Sequence, residues 1–348
     1  MSGGKPGQNF RSGRKRQEAG FHKTKPKVYV TRLIPEEALN KLAENAQYRI
    51  WEGELPVPRE VLLREVSGVD GVLSLLTDKI DAAVMDAAPK LRVISNMAVG
   101  FDNVDVREAT TRKIMVCNTP EVLTDTTADF AFALLLAAAR RVVEGERSVR
   151  AGKWKTWGPM ILLGRDVHHA TLGIIGLGRI GAEVAKRGKG FDMNVIYYDT
   201  VRRPGLEKKL GVEFRDLKTL LAESDFVTIH CPLLPETHHL IGEEQFKLMK
   251  KTAILVNSAR GPIVDPKALY NALRSRQIAY AALDVTEPEP IPTDDPLLTL
   301  DNIVIVPHIA SASVATRTKM AIMAVDNLLA GLKGEKPPHI VNPEVLAK

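Results

Sequence analysis

The stretch 171–199, TLGIIGLGRIGAEVAKRGKGFDMNVIYYD, decides the fold. Its apolar opening, Thr171 to Ile175, reads as a buried strand that runs straight into Gly176, Gly178 and Gly181. A helical pattern follows, then a second apolar strand, Asn194 to Tyr198, which ends in Asp199. Each part has a task in a dinucleotide-binding βαβ unit. Gly176 permits a tight turn, Gly178 lets the backbone approach a pyrophosphate, and Gly181 allows close packing of helix on strand. The free N–H groups at the helix start, here those of Arg179 and Ile180 beside Leu177, face the phosphates, aided by the helix dipole. Asp199 is placed to accept hydrogen bonds from the ribose hydroxyls. A glycine triplet alone is weak evidence; the ordered strand, turn, helix, strand and acid carry the reading.

Outward from this unit, apolar strands and amphipathic helices alternate. Before it, strands are expected at Val28–Thr31, Tyr48–Trp51, Gly71–Leu75, Arg92–Asn96 and Met115–Asn118, with helices such as Glu36–Glu44 and Asp81–Ala87 between them. Alternation of this kind implies parallel strands joined by right-handed crossovers. A single helix from Thr126 to about Ala151, too apolar for a free surface helix, is expected to link two domains or pack in a dimer. Later strands are expected at Phe226–His230, Ala253–Asn257, Tyr280–Leu283 and Ile303–Val306, and a last helix, Ser313 to Leu332, returns to the first unit. The expected fold is α/β, with two doubly wound parallel-sheet domains. A flavodoxin-like substrate domain spans 27–124 and 308–348, and a Rossmann dinucleotide-binding domain, 125–307, is inserted into it. A ligand cleft should lie between them.

Composition sets the limits. The chain has 348 residues, 45% hydrophobic and 26% charged, which are ordinary values for a globular protein with an ample core. Its net charge of +6 is misleading as a whole, because residues 1–27 hold eight Lys or Arg and one acid, a balance of +7. The remainder carries −1, so the basic character belongs to a tail, 1–26, expected to be disordered. Such a tail binds polyanions only loosely. With no zinc finger, basic recognition helix or interleaved aromatics, nucleic acid is not the expected partner. Cys117 and Cys231 sit in apolar stretches and suggest a reducing compartment without disulfides. The longest apolar run, Phe130 to Ala139, falls short of the ~20 residues that span a bilayer. With no charged-then-apolar leader either, a cytoplasmic location is expected.

Ligands of an open parallel sheet bind outside the carboxyl ends of its strands. Three groups directly follow strands of the second unit: Arg260 in NSARG, Asp284, Glu287 and Glu289 in LDVTEPEP, and His308 in VPHIAS. An arginine, a carboxylate and a histidine on one rim suit hydride chemistry on a carbonyl acid. The arginine's planar fork holds a carboxylate or carbonyl oxygen. A protonated histidine gives the carbonyl its proton, and a neighbouring carboxylate favours the imidazolium. Spacing alone does not separate Glu287 from Glu289. Of the other histidines, His168–His169 and His238–His239 read as loop pairs without the spacing or partners of a metal site, and no metal is expected. His230 ends a strand and is either structural or lines the cofactor cleft.

At this point the chain resembles a known family, the D-specific 2-hydroxyacid dehydrogenases, in their glyoxylate/hydroxypyruvate reductase branch. The resemblance covers 27–345 and rests on SNMAVGFDNVDV (95–106), TPEVLTDTTAD (119–129), KWKTWGP (153–159), GLGRIG (176–181), VNSARGPIVD (256–265), LDVTEPEP (283–290) and PHIASA (307–312). It implies that Arg260, Glu289 and His308 are catalytic, which selects Glu289 over Glu287. It implies a cofactor site that adds Arg202, Thr127, Cys231, Pro232, Ser258, Ala259, Arg260, His308 and Asp284 to the fingerprint, with Asp284 on the nicotinamide carboxamide or ribose. It implies that the N–H groups of Val99 and Gly100 grip the substrate carboxylate, with Leu76, Arg260 and Trp157 also near the substrate. The segment with Trp157 resembles one that reaches the neighbouring subunit's site, so a homodimer is expected.

Two departures refine the expectation. Phosphoglycerate dehydrogenases carry arginine where this chain has Ser74-Leu75-Leu76-Thr77, so a phosphorylated substrate is disfavoured; the chain also ends before their regulatory domain. Asp199 would repel a 2′-phosphate, while Arg202 and Arg203 partly neutralise it; NAD(H) is the expected preference, with some NADP(H) use. The expected activity is reduction of glyoxylate or hydroxypyruvate. The alternatives are a D-lactate-type, phosphoglycerate or phosphite dehydrogenase, and a non-enzymatic dinucleotide sensor resembling corepressors of this architecture.

Overall fold

The computed structural model describes residues 25–347. The basic tail expected at 1–26 lies, except for its last two residues, outside them.

Two parallel sheets form the molecule. The first contains β1 (Lys27–Val30), β2 (Gln47–Ile50), β3 (Gly71–Ser74), β4 (Val93–Asn96) and β5 (Met115–Cys117), in the order β2-β1-β3-β4-β5. The second contains β6 (Thr171–Ile175), β7 (Asn194–Tyr198), β8 (Glu213–Phe214), β9 (Phe226–Ile229), β10 (Ile254–Asn257), β11 (Tyr280–Leu283) and β12 (Ile303–Ile305), in the order β12-β11-β10-β9-β6-β7-β8. These are the flavodoxin-like and dinucleotide-binding orders of doubly wound sheets, the latter with one strand added. Helices cover both faces, so β9, β10 and β11 are buried along their whole length. That is why they read in the sequence as continuous apolar runs rather than alternating ones. The short β8 has no such run and was not expected.

The strand order of the second sheet reverses between β6 and β9. The loops leaving these strands diverge there and open a crevice. The final long helix, Val314–Leu332, packs on the first sheet. Met320, Ala324, Val325 and Leu328 share a core with Val28, Leu73 and Val93.

One expectation fails. The helix foreseen from Thr126 to about Ala151 is two helices, Thr124–Ala139 and Val142–Arg150. The first buries Ala128, Ala131, Phe132 and Leu135 against the second sheet; the second buries no residue. Between them Arg141 takes a left-handed backbone (φ 53°). The carbonyl of Ala139, which a continuous helix would bond internally, accepts instead from Arg165 N at 2.8 Å. The returning chain ends the helix, a long-range cause that no local pattern carries. Among the described residues no helix is long and apolar enough to cross a membrane.

Candidate active site

A cleft of about 410 Å³ opens where the two sheets face each other, a size typical of small-molecule sites. Its second-sheet wall is the glycine fingerprint. Gly176 has φ 93°, and a Cβ there would stand 2.7 Å from Cys231 N, the start of the loop after β9. Glycine is therefore required for two adjacent strand-end loops to pass each other. A Cβ on Gly181 would overlap the carbonyl oxygen of Gly176, so it too must be glycine for the helix Arg179–Gly190 to seat on β6. Gly178, by contrast, has nothing within 4 Å of its would-be Cβ. It is the N-cap of that helix and offers no side-chain cap, which leaves the first-turn N–H groups open. Ser258 adds a buried hydroxyl with no hydrogen-bond partner, and it lines the cleft. Open space at Gly178, uncapped N–H donors and an orphaned hydroxyl fit a dinucleotide.

Asp199 lies where the fingerprint places it, at the end of β7. Its Oδ2 accepts from Leu177 N at 3.0 Å, which ties the acid to the turn. Of the two neighbouring arginines, one departs from the expectation. Arg202 binds Glu207, five residues on in the helix Pro204–Leu210, in a bidentate fork, 2.9 Å for each bond. Arg203 alone stays near Asp199, its Nε 3.9 Å from Oδ2.

Three strand-end groups converge on the cleft rim. Arg260 follows β10; its Nη1 donates to Ala259 O at 2.8 Å and its Nε to Asp102 Oδ1 at 3.2 Å. The side chain of Asn257 fixes this loop, since it donates to Arg260 O and accepts from Ala259 N. His308 follows β12, and its Nδ1 lies 2.6 Å from Glu289 Oε1. That contact leaves Nε2 for whatever enters the cleft, which both Arg260 and His308 line. Glu289 itself stands behind the imidazole and does not line the cleft.

Asp284, which the resemblance places at the cofactor, is held by the backbone of the loop after β12. It is buried, 1% exposed, and both its oxygens are taken by backbone N–H groups, Oδ1 by Ile309 at 2.7 Å and Oδ2 by Ala310 at 2.9 Å. Its carbonyl accepts from His308 N at 2.9 Å. His308 has a left-handed backbone, φ 53°, a strained state for a residue with a Cβ. Asp284 therefore acts as the clamp that holds this turn. Burial raises its carboxyl pKa, while the two N–H bonds and the charge of His308 oppose the rise.

The loop after β4 forms the facing wall. Asn118 Nδ2 donates to Val99 O at 2.8 Å and Asn96 Nδ2 to Gly100 O at 3.1 Å, which ties both carbonyls back. Their N–H groups, with no acceptor among the described residues, stay available on a wall that Val99, Gly100 and Leu76 line. A Cβ on Gly100 would overlap Arg260 Nη2, so the guanidinium lies directly against this backbone. Unpaired N–H donors beside a guanidinium make a carboxylate pocket.

Thr127, Arg179, Ile180, Cys231, Pro232 and Ala259 also line the cleft. Trp157 does not; it is 79% exposed, in a segment whose Trp154, Met160 and Leu163 are exposed as well. Three features escaped the sequence reading. Asp102 partners Arg260. Arg317, on the final helix, lines the cleft with no hydrogen bond or ion pair to its guanidinium among the described residues, and burial lowers its pKa. Its only sequence signal is a lone cation in the first turn of an apolar helix. Third, His238 and His239 do have a partner: His239 Nε2 is 2.7 Å from Glu287, the acid not used at His308. His230 lines the cleft, as one of its two readings held.

Residues 132–310 match the family model of the D-isomer specific 2-hydroxyacid dehydrogenase NAD binding domain. A glyoxylate reductase of Korarchaeum cryptofilum is 59% identical over 323 residues, covering 92% of this chain and 97% of its own. A solved structure from Thermus thermophilus is 48% identical with a TM-score of 0.86, covering 90% of this chain and 99% of the other. An NADPH-dependent glyoxylate/hydroxypyruvate reductase of Sinorhizobium meliloti, solved with NADP and malonate, is 33% identical with a TM-score of 0.80, covering 91% and 97%.

Proposed function

The chain belongs to the D-isomer specific 2-hydroxyacid dehydrogenases, and from that premise we propose how it works as a nicotinamide-dependent reductase of glyoxylate and hydroxypyruvate. The carrying observation is that Arg260 and His308 line one cleft while Glu289 holds the far nitrogen of the imidazole. A nicotinamide dinucleotide held at the glycine fingerprint would supply the hydride that reduces the carbonyl carbon. The N–H groups of Val99 and Gly100 and the Arg260 fork hold the substrate carboxylate, and Arg260 polarises the 2-oxo group. His308 Nε2 delivers a proton to the carbonyl oxygen, and Glu289 stabilises the imidazolium before transfer. Reversal oxidises the 2-hydroxyacid with the same groups in opposite roles.

Loss of reduced-nicotinamide absorbance with a panel of 2-oxoacids tests this. Glyoxylate and hydroxypyruvate should be turned over, and His308→Ala should lower kcat by about 10²–10⁴-fold, the usual worth of a general acid. An unchanged rate would exclude that role. Cofactor binding without turnover of any oxoacid would favour the dinucleotide-sensor alternative.

NAD(H) is the proposed preference, with some NADP(H) use. A carboxylate at Asp199, anchored by Leu177 N at the end of β7, would repel a 2′-phosphate, and Arg203, 3.9 Å away, would offset it in part. A kcat/KM ratio favouring NADPH more than tenfold would refute the preference. The proposed division assigns 27–124 and 308–348 to the substrate side and 125–307 to the dinucleotide. A homodimer is proposed in which the exposed Trp154–Leu163 segment is covered by a second copy. Two free thiols suit the cytoplasm as its location.

A further inference from the structure

Glu287, two residues before Glu289, closes a second cluster. His239 Nε2 lies 2.7 Å from one of its oxygens and His238 Nε2 lies 3.7 Å from the other. The two imidazoles stack, with centroids 3.9 Å apart and planes inclined by 26°. One ligand atom from each of the three residues lies within 4.8 Å of the other two. Consecutive side chains on a strand point to opposite faces, so regular extended backbone does not bring neighbouring rings together. Here His239 adopts a left-handed backbone, φ 51°, and its N–H is anchored to Pro262 O at 2.7 Å. That conformation is costly for a residue with a Cβ.

We propose that His238, His239 and Glu287 form a binding site for a divalent transition-metal ion of the zinc class. Two imidazole nitrogens and one carboxylate oxygen are the donor set of an open zinc site. With bonds of about 2.0–2.1 Å, tetrahedral ligand atoms stand about 3.4 Å apart, between the 2.7 Å and 3.7 Å found here. The two distances run to different oxygens of Glu287, so rotation of the exposed imidazoles out of their stack is needed to bring both nitrogens and one oxygen onto a common ion. Calcium and magnesium take oxygen ligands and are not suited to it. The three side chains are 51%, 37% and 31% exposed, so the ion enters without unfolding and water fills its remaining position. A simple ion pair does not account for His238, which is half exposed and beyond hydrogen-bond reach of Glu287.

The ion would join two segments that flank the catalytic cleft. One follows β9 and begins with the cleft-lining residues His230 to Leu234. The other follows β11 and carries Glu289, the partner of His308. A ligand that binds only the folded form stabilises it by mass action. The site is thus a clasp at the edge of the reaction centre and takes no part in the chemistry.

The test uses the full-length protein, stripped with a chelator. Zinc is titrated against a chromophoric competitor, and the melting temperature is followed alongside. One zinc per chain should bind at this site with a rise in Tm, and cobalt should give the strong visible absorption of a four-coordinate ion. His238→Ala keeps the His239–Glu287 bond and should fold with unchanged glyoxylate reduction. Its zinc affinity should fall by at least the ~10–100-fold that even outer-shell losses cost, and the Tm response should vanish. Glu287→Gln, which keeps an acceptor for His239, should lose the ion in the same way. Absence of saturable zinc binding in the parent, or equal affinity in the parent and His238→Ala, overturns the proposal.

Discussion

At Gly100 a hydrogen occupies the point where any other residue would place a Cβ against Arg260 Nη2. The proposed substrate pocket therefore depends on the absence of a side chain as much as on the guanidinium. Gly100→Ala must push the fork away from the Val99–Gly100 amides. A misplacement near 1 Å costs about 10²-fold in positioned reactions, so kcat/KM for glyoxylate should fall by that order while NADH affinity holds. Steady-state kinetics with cofactor binding measured separately checks both parts. Asp284 makes the complementary case, since its two oxygens face two N–H donors. Asp284→Asn would aim an NH₂ at Ile309 N or Ala310 N and leave a buried donor unpaired, at about 1–3 kcal/mol. The turn holding His308 at φ 53° should then relax. The expected result is a lower Tm together with a lower kcat, and a variant with both unchanged would remove the clamp role.

The glycine fingerprint does its work as an element. Gly176 lets β6 turn past the loop after β9, and Gly181 lets the following helix sit on the carbonyl of Gly176. Gly181→Ala drives a methyl into that carbonyl, so the whole helix must lift and its uncapped N–H groups move from the cleft. Dinucleotide binding should weaken by roughly tenfold or more, about 1.4 kcal/mol, with the far-UV spectrum unchanged; fluorescence titration with NADH reads this directly. This element was legible in the sequence because its constraints are local: strand, turn and helix are adjacent, and each glycine's reason lies within the unit or one strand away. The grouping of Arg260, Glu289 and His308 was legible for a related reason, because strand ends of a parallel sheet share one edge. The break at Arg141 was not legible, since Arg165 causes it from across a loop. Nor was the sorting of Glu287 and Glu289, which lie two residues apart and face different histidines. Residue type recorded both acids; only the path of the loop assigns them, and the motif resemblance anticipated it for Glu289 alone.

For the molecule as a whole, folding meets its buried titratable groups with opposite signs. Burial pushes the His230 imidazole down to about 3, while its Nε2 stays 2.8 Å from Thr228 Oγ1. An unfolded histidine titrates near 6.5, so between about 3 and 6.5 the folded chain binds fewer protons at this position than the unfolded one. The stability it contributes is present above pH 6.5 and is lost as pH falls, at about 1.4 kcal/mol per pH unit within the window. Asp78 and Asp284 act the other way. Burial raises both carboxyls, so the folded chain holds their protons to higher pH and gains from acid in the range just above the usual carboxylate value. A single acid-unfolding curve mixes these terms and can look flat. The difference between two curves does not, because the carboxyls cancel. His230→Asn keeps a polar group beside Thr228 and removes the titration. Denaturant unfolding at pH 7 and pH 5 should show the parent losing more stability than the variant on acidification, by roughly 1–2 kcal/mol. Equal losses would mean that His230 takes up its proton in the folded cleft.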